Sequence, residues 1–487
     1  MWCNVGTVPL RRARSVHYFP SRKRGLRGVY SLDRTKDLSL PERVRNMERP
    51  MCNWKPKYSQ YKCNEPATEG DRYGYYCILH FPHEDKNPDT FKKKVEERIE
   101  SKDSIDLKGC YFPKGFDYTE IKLSFDVPVD FSEAPFSKEA YFIGATFSEG
   151  AYFTGAAFSG EAYFAQAKFS EGADFSWAAF SERAYFTGAT FSEGADFFGA
   201  TFSKGNFAGT TFSKGANFNN AEFRERVRFQ SLGSGDEGKP VFLGPGSSFQ
   251  YTRFTVDSVF QDVDLSHCSF LHSNIDKVDF RYCKFNEKTE GPFFFFSNQR
   301  KNVLRDELDA DQHVILTLNE VKGKNLKSGG DSSAPQQRKP REEEYEPVRR
   351  LYQELKCNFE NKKDWNTAGD FHYGEMECRR KGRLGGWLDF LLVTTYYGAS
   401  GYGERPWRAL SWWFFCTLLL FPLLYRLTEH DPLSACVWDS VRVATFMKIG
   451  IPIEPEGWGK LVLALQYFIG PTLLALFGLA LRRKVKR

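Results

Sequence analysis

Between residues 125 and 229 a phenylalanine recurs at every fifth or sixth position, and a small residue usually stands two positions before it. One unit reads AYFIGATFSEG and the next reads AYFTGAAFSGE, which sets an eleven-residue period. Side chains two positions apart share a face in an extended chain but not in a helix. The pattern therefore predicts short strands that bury alanine and phenylalanine together, with turns at the intervening glycines and serines.

An eleven-residue period also occurs in right-handed helical coils, at about 3.67 residues per turn. Steps of five and six would place the phenylalanines on two separate stripes of such a helix. A glycine in nearly every unit would also cost the helix roughly 1 kcal/mol each time. The repeat therefore favours a β-solenoid over a helical coil.

The same ladder extends beyond the phenylalanine-rich stretch. From 263 to 285 the repeat has a strict five-residue spacing, with Leu265, Phe270 and Phe280 at the position of the large residue. Upstream, Leu107 and Phe112 fit the same pattern. The predicted solenoid spans residues 104–298, with a Gly/Ser/Pro-rich loop near 230–248.

These repeats resemble the pentapeptide-repeat family. The resemblance implies an all-β, right-handed quadrilateral β-helix whose coils stack at the strand spacing of ~4.8 Å. The extra residue in alternate units departs from the family pattern and suggests widened corners. Such rods bind through their outer faces, and some members mimic duplex DNA by their acidity. The excess of acids over residues 131–223 is mild, so we do not expect nucleic acid mimicry here.

Residues 47–100 form a Cys/His-rich segment with the spacing C-x10-C-x13-C-x2-H, at Cys52, Cys63, Cys77 and His80. Three thiolates and one imidazole are a ligand set of structural zinc sites, and one turn can present the last two ligands. A segment this short needs such a staple to fold. We predict a small module with a structural Zn²⁺, with unrelated thiols as the alternative.

Two uncharged apolar runs, 409–425 and 461–481, are each long enough to cross a bilayer core of ~30 Å. Trp407, Trp412 and Trp413 lie where an interfacial belt belongs. Basic residues precede the first run and follow the second, so the positive-inside rule places both termini in the cytoplasm. Residues 405–487 are therefore predicted as an α-helical two-span transmembrane hairpin, and a buried soluble hairpin is the alternative.

The remaining segments are assigned by composition and periodicity. The basic residues 1–46 suit a disordered tail, a mis-assigned start or a transit peptide. Residues 299–345 are predicted as a cap and a flexible linker. Residues 346–404 are predicted as juxtamembrane helices, because Val348, Leu351 and Leu355 recur at helical spacing. Their acids and bases are expected on a solvated face.

The chain shows no nucleophile elbow, phosphate loop or metalloprotease motif, so we do not expect an enzyme. Dispersed cysteines and the lack of a typical signal peptide indicate a reducing setting for the soluble part. A net charge of +6 is too small to indicate nucleic acid. The predicted function is a membrane-tethered protein-interaction scaffold, with an unknown protein partner on the solenoid faces and the lipid bilayer at the hairpin.

An oligomeric two-span channel, regulated by a cytoplasmic solenoid, is the alternative function. Residues 440–459 lie between the two apolar runs, as a pore loop does in two-span channels. The segment lacks a filter sequence of the TVGYG type, and Lys448 would repel cations. The hairpin could also serve for oligomerisation, so a homo-oligomer is compatible with either function.

Overall fold

The structure is a computed structural model. It describes residues 51–55, 63, 65–67, 69–71, 74–82, 86–100, 103–113, 124–232, 242–255, 258–290, 298–325, 339–429, 432–444 and 457–485. The basic segment 1–46 lies outside the described residues.

The repeats form a parallel β-solenoid of about seven turns, which confirms the predicted fold class. Ala140 pairs with Ala162, and Ala162 pairs with Ala184, so one coil contains two eleven-residue units and four short segments. The strands lie in parallel sheets of eleven, six and six strands. The largest sheet covers two adjacent faces, because two of its strands continue around a corner.

Two strands form an antiparallel hairpin ahead of the solenoid, β1 (Glu69–Asp71) and β2 (Gly74–Tyr76). The solenoid strands are β3 (Ile105–Asp106), β4 (Ser124–Phe125), β5 (Val129–Asp130), β6 (Pro135–Phe136), β7 (Ala140–Tyr141), β8 (Thr146–Phe147), β9 (Ala151–Tyr152), β10 (Ala157–Phe158), β11 (Ala162–Tyr163), β12 (Lys168–Phe169), β13 (Ala173–Asp174), β14 (Ala179–Tyr185), β15 (Thr190–Phe191), β16 (Ala195–Asp196), β17 (Thr201–Asn206), β18 (Thr211–Phe212), β19 (Ala216–Asn217), β20 (Glu222–Phe223), β21 (Val227–Gln230), β22 (Phe242–Leu243), β23 (Arg253–Phe254), β24 (Val259–Gln261) and β25 (Asp279–Arg281). A second antiparallel hairpin follows, β26 (Asn286–Glu290) and β27 (Asn298–Val303).

Four columns of stacked phenylalanine rings fill the core of the solenoid. The ring centroids of Phe142 and Phe164 lie 4.9 Å apart, and those of Phe164 and Phe186 lie 5.0 Å apart. Neighbouring columns meet edge to face, as Phe142 and Phe153 do at 5.6 Å and 81°. Such aromatic pairs contribute about 0.5–1.5 kcal/mol each beyond the burial of their area. The paired alanines, such as Ala140, are fully buried, which confirms the inward Ala/Phe pairing.

The helices are α1 (Pro88–Ile99) before the solenoid, and α2 (Arg305–Asn325), α3 (Lys339–Asn361), α4 (Trp365–Gly382), α5 (Trp387–Ser400), α6 (Pro406–Phe415), α7 (Phe421–Glu429), α8 (Leu433–Ala444) and α9 (Trp458–Val485) after it. A π-helical turn, Cys416–Leu420, joins α6 to α7. The helix predicted from the spacing of Val348, Leu351 and Leu355 is confirmed as α3, and α4 follows it within the segment predicted as helical. Both ends of the predicted flexible linker are helical, in α2 and α3, and residues 326–338 lie outside the described residues.

Helix α3 closes the C-terminal end of the solenoid. The Asn358 side-chain amide donates to the backbone carbonyls of Ile275, Asp276 and Val278 at 3.2, 3.1 and 2.7 Å. The Glu354 carboxylate accepts from the backbone N–H of Ile275 at 3.2 Å. Without a cap, the last coil would expose unpaired backbone N–H and C=O groups to other chains. The side chains of Asn358 and Glu354 form hydrogen bonds with several of these groups.

Candidate functional site

Local structure brings the four predicted metal ligands together. Met51 pairs with Pro66 in an antiparallel bridge, and the N–H of Cys52 donates to the Glu65 carbonyl at 3.0 Å, which holds Cys52 beside the segment that contains Cys63. Residues 77–80 form a single turn, in which the N–H of residue 80 donates to the carbonyl of residue 77 at 3.1 Å. The turn places its first and last side chains on the same side.

The ligand atoms of Cys52, Cys63, Cys77 and His80 all lie within 4.8 Å of one another, and all four side chains are buried. The Sγ atoms of Cys63 and Cys77 are 3.8 Å apart. His80 Nδ1 lies 3.1 Å from the Cys77 sulfur and 3.6 Å from the Cys52 sulfur. A tetrahedral zinc with Zn–S bonds of ~2.3 Å needs sulfur–sulfur separations of roughly 3.8 Å. The arrangement therefore fits one ion held by four protein ligands.

The orientation of the His80 ring is fixed by contacts that sequence reasoning missed. Its Nε2–H donates to the backbone carbonyl oxygen of Lys108 at 2.7 Å, which leaves Nδ1 directed at the thiols. The Trp54 ring stacks on the imidazole, with centroids 4.3 Å apart and planes 4° apart. A metal-ligating histidine usually donates its other ring N–H to a backbone carbonyl or carboxylate in this way.

The turn that carries Cys77 and His80 is also held from behind by a buried ammonium. Lys86 is 3% exposed, and its Nζ donates to the carbonyls of Ile78 and Leu79 at 2.9 and 3.2 Å. The spacing of the cysteines does not predict this contact of Lys86, because a single lysine in a polar segment belongs to no repeating pattern.

Contacts within the cluster shift the pKa values of two of its thiols in opposite directions. Hydrogen bonds from Cys63 and Cys77 hold the pKa of Cys52 well below its ordinary value. Contacts with Cys52 and Cys63 raise the pKa of Cys77 well above its ordinary value. Burial raises the pKa of the neighbouring Cys110, which lies outside the cluster, to about 12. A divalent cation at this buried point would allow the cluster thiols to ionise together.

Two helical segments are long and apolar enough to span a membrane: Pro406–Thr428, called here the first candidate span, and Trp458–Arg482, the second. The most apolar windows of these segments are only 28% and 22% buried. A core helix of a soluble protein would be mostly covered, whereas most of this apolar surface is not covered by the described residues.

A buried polar cluster joins the two spans to α8. Gln466, in the second span, accepts from the Tyr425 hydroxyl of the first span at 2.7 Å and donates to the Ser440 carbonyl of α8 at 2.7 Å. The Ser440 hydroxyl donates to the Thr417 carbonyl at 2.7 Å, inside the π-helical turn. Helix α8 thus packs against both candidate spans, which also contact each other. The predicted pore-loop residues 445–456, including Lys448, lie outside the described residues.

Comparison with known families supports the resemblance seen in the repeats. A family model described as pentapeptide repeats, in nine copies, matches residues 124–167 and 153–201. No curated protein and no solved structure matches the chain. Residues 124–201 therefore belong to a pentapeptide-repeat solenoid, whose sheets continue on both sides of the matched stretch.

Proposed function

We propose that this pentapeptide-repeat protein is a membrane-tethered protein-interaction scaffold. The solenoid presents its outer faces to a protein partner, and the two candidate spans hold it at the bilayer. Proteins that carry such repeats generally have structural or interaction roles rather than catalytic ones.

The observation that carries the proposal is an exposed tryptophan that packs on a half-buried phenylalanine of the rigid solenoid. Trp177 is 54% exposed and lies edge to face with Phe198, with ring centroids 5.3 Å apart. Tyr152 is 42% exposed and lies in β9, which pairs with β13, the strand that ends three residues before Trp177. Aromatic side chains are enriched at the centres of protein interfaces, where they lose little conformational entropy on binding.

Buried ion pairs support a firm connection between the solenoid and the spans. Glu307 at the start of α2 accepts from Arg300 of β27 through both carboxylate oxygens, at 2.8 and 2.7 Å. Lys381 at the end of α4 donates to the same carboxylate at 2.8 Å. Helix α5 then leads into the first candidate span, which begins with α6, so the rod and the anchor are joined through packed helices.

Site-specific photo-cross-linking in native membranes tests the scaffold. A photoreactive phenylalanine analogue would replace Trp177 in one sample and Lys214, an exposed residue of another face, in a matched sample. We expect a discrete cross-linked partner from position 177 and none from position 214. Identical products from the two positions, or none from either, would contradict the scaffold.

We further infer that the Cys/His cluster binds a structural Zn²⁺. The ion would be held by Cys52, Cys63, Cys77 and His80, with no open position for a substrate. Its chemistry would be to neutralise buried thiolates and so to stabilise a module that has little apolar core.

Metal analysis of the purified full chain tests the zinc site. The wild type and Cys110→Ser, a buried cysteine outside the cluster, should both retain stoichiometric zinc, whereas Cys77→Ser should lose it. Stoichiometric zinc in the Cys77→Ser protein, or its absence from the wild type, would reject the site.

One observation favours the channel as a second candidate function. Helix α8 lies between the two candidate spans in sequence and is bonded to both through Ser440 and Gln466. The segment between two spans is where such a channel would place the backbone carbonyls that line its ion pathway. Planar-bilayer recording of the purified protein distinguishes the functions: single-channel current supports the channel, and silence across a range of voltages supports the scaffold.

A further inference from the structure

A recess of about 640 Å³ lies on the solenoid surface where the outer strands β14, β17 and β21 meet. Its lining includes five basic side chains and one acid: Arg183, Lys204, Arg224, Arg226, Arg228 and Glu225. The volume falls within the range of about 300–1,000 Å³ that small-ligand sites occupy.

The recess begins where a ladder of stacked tyrosines ends. The rings of Tyr141, Tyr163 and Tyr185 stack at 4.9 and 4.8 Å on three successive coils. On the next coil the paired residue is Asn206, which is followed by Arg228. A small side chain thus occupies the place where a fourth ring would otherwise stand.

A shortened corner deepens the recess. Phe202 and Phe207 are five positions apart, whereas the equivalent pairs on the neighbouring coils, Phe180 with Phe186 and Phe223 with Phe229, are six apart. The pairing of β14 with β17 shifts register at this corner. The two wider corners therefore project beyond the narrow one between them.

The projecting corners are basic. Arg183 lies on one side of the narrow corner, Arg224, Arg226 and Arg228 lie on the other, and all four side chains are exposed. Lys204 lies on the narrow corner and pairs with Glu225, the single acid of the lining, at 3.0 Å. Arg224 also contacts the Glu222 carboxylate at 3.3 Å, so five cations lie beside two carboxylates, although the solenoid as a whole is mildly acidic.

We propose that this recess binds a small phosphorylated ligand. Arginine presents a planar fork of donors that matches phosphate oxygens in pairs, and four of the five cations are arginines. Asn206, Thr255 and the Tyr185 hydroxyl add neutral hydrogen-bonding groups beside them. The site is separate from the aromatic face of the proposed scaffold and does not depend on that function.

The ligand's phosphate groups could come from a soluble metabolite or from a phosphoinositide headgroup. The two sources share the chemistry that the arginines recognise. A chain reconstituted in lipid nanodiscs distinguishes them, because a headgroup in reach of the recess competes with a soluble probe.

The test is calorimetric titration of the reconstituted full chain with sodium tripolyphosphate, in phosphatidylcholine nanodiscs with and without phosphatidylinositol bisphosphate. One variant removes two cations, Arg183→Gln with Arg228→Gln. A matched control, Lys168→Gln with Lys214→Gln, makes the same charge change on another sheet. A third variant, Asn206→Tyr, extends the tyrosine ladder into the recess without any change in charge.

We expect wild type and the lysine control to bind equally, and each lost arginine to weaken binding by about tenfold or more. Asn206→Tyr should also weaken binding, because its ring fills the recess. Weaker tripolyphosphate binding in nanodiscs with phosphatidylinositol bisphosphate than in phosphatidylcholine alone indicates that the recess binds the lipid headgroup. Equal binding in the two kinds of nanodisc indicates a soluble ligand. No binding by the folded wild type, or equal losses in the arginine variant and the lysine control, would overturn the proposal.

Discussion

His80 Nε2 donates to the carbonyl oxygen of Lys108 at 2.7 Å, which bonds a proposed metal ligand directly to the first coil of the solenoid. The N–H of Tyr111 donates to the Leu79 carbonyl at 2.9 Å beside it. The Cys/His module is therefore an end cap of the solenoid rather than an independent domain. A terminal coil needs such a cap, since its edge would otherwise be open.

Gly109 sits where the cap meets this coil, and its replacement should separate the two. Its φ is +59°, and an added Cβ would lie 2.0 Å from the Trp54 ring. Gly109→Ala should therefore cost about 1–2 kcal/mol in the backbone and also displace Trp54 from His80. Gly144→Ala, with φ +66° and open space around it, carries only the backbone cost. Thermal unfolding should show a clearly larger loss for Gly109→Ala; equal losses would contradict the contact.

The C-terminal cap should grow more stable as the pH falls. Burial raises the pKa of Glu354 to about 7, although its bond from Ile275 acts the other way. Because the folded pKa exceeds the unfolded value of ~4.3, this stabilisation is complete below the unfolded value and is lost as the pH rises through the folded one. Burial also raises the pKa of Asp306, to about 6, with the same sign.

Glu354→Gln should reduce this pH dependence and leave the part that is due to Asp306. Melting temperatures between about pH 5 and about pH 8 provide the measurement. Glu343→Gln, at an exposed position of the same helix, is the control and should retain the wild-type slope. An unchanged slope in Glu354→Gln would show that this carboxyl does not titrate with folding.

Glu307→Gln should strongly destabilise the junction between solenoid and helices. The fully buried Glu307 carboxylate lies between the cations of Arg300 and Lys381. Removal of one partner from a buried ion pair typically costs about 3–5 kcal/mol, because the remaining charge is left uncompensated. Asp309→Asn, which breaks the exposed pair with Arg305 on the same helix, should cost less than about 1 kcal/mol. Denaturant unfolding compares the two, and similar losses would be inconsistent with a buried network.

Gln466→Leu should loosen the packing of the two candidate spans. Its amide bonds both Tyr425 and Ser440, and leucine would leave those partners without it. Interhelical hydrogen bonds in membranes contribute about 0.6 kcal/mol on average and up to about 1.7. Thr472→Val removes a bond made within one helix and should have a smaller effect. Unfolding in mixed micelles measures the difference, and a neutral Gln466→Leu would rule out a stabilising cluster.

The Phe/Ala ladder was predictable because every repeat buries the same kind of residue pair. Ala140 and Phe142 are buried together because they lie two positions apart on a short strand, and every later Ala/Phe pair is buried for the same reason. The repetition of this one pattern fixes the register of the sheets. The clustering of Cys52, Cys63, Cys77 and His80 was also predictable, because their spacing is typical of residues that converge on one point. Trp54 and the Lys108 carbonyl were not, because each makes a single contact between distant parts of the chain.

The predicted solvated face of the juxtamembrane helices was wrong for several of its charges. Glu377 is 1% exposed and accepts from the Tyr402 hydroxyl at 2.9 Å, and Glu354 bonds the last coil. Helical periodicity places apolar residues on the covered face, but it cannot show that acids also lie there opposite donors. The recess was missed for a related reason: an average of charge along the solenoid hides a local cluster around Arg226.

The claim that the solenoid is anchored in a bilayer is tested most directly by alkaline carbonate extraction of membranes from cells that express the full chain. A matched chain that ends at residue 404 lacks both candidate spans. We expect the full chain to remain in the membrane pellet until detergent is added, and the shortened chain to appear in the supernatant. Release of the folded full chain by carbonate alone would show that the two apolar helices pack as a soluble core, and would contradict a membrane-tethered scaffold.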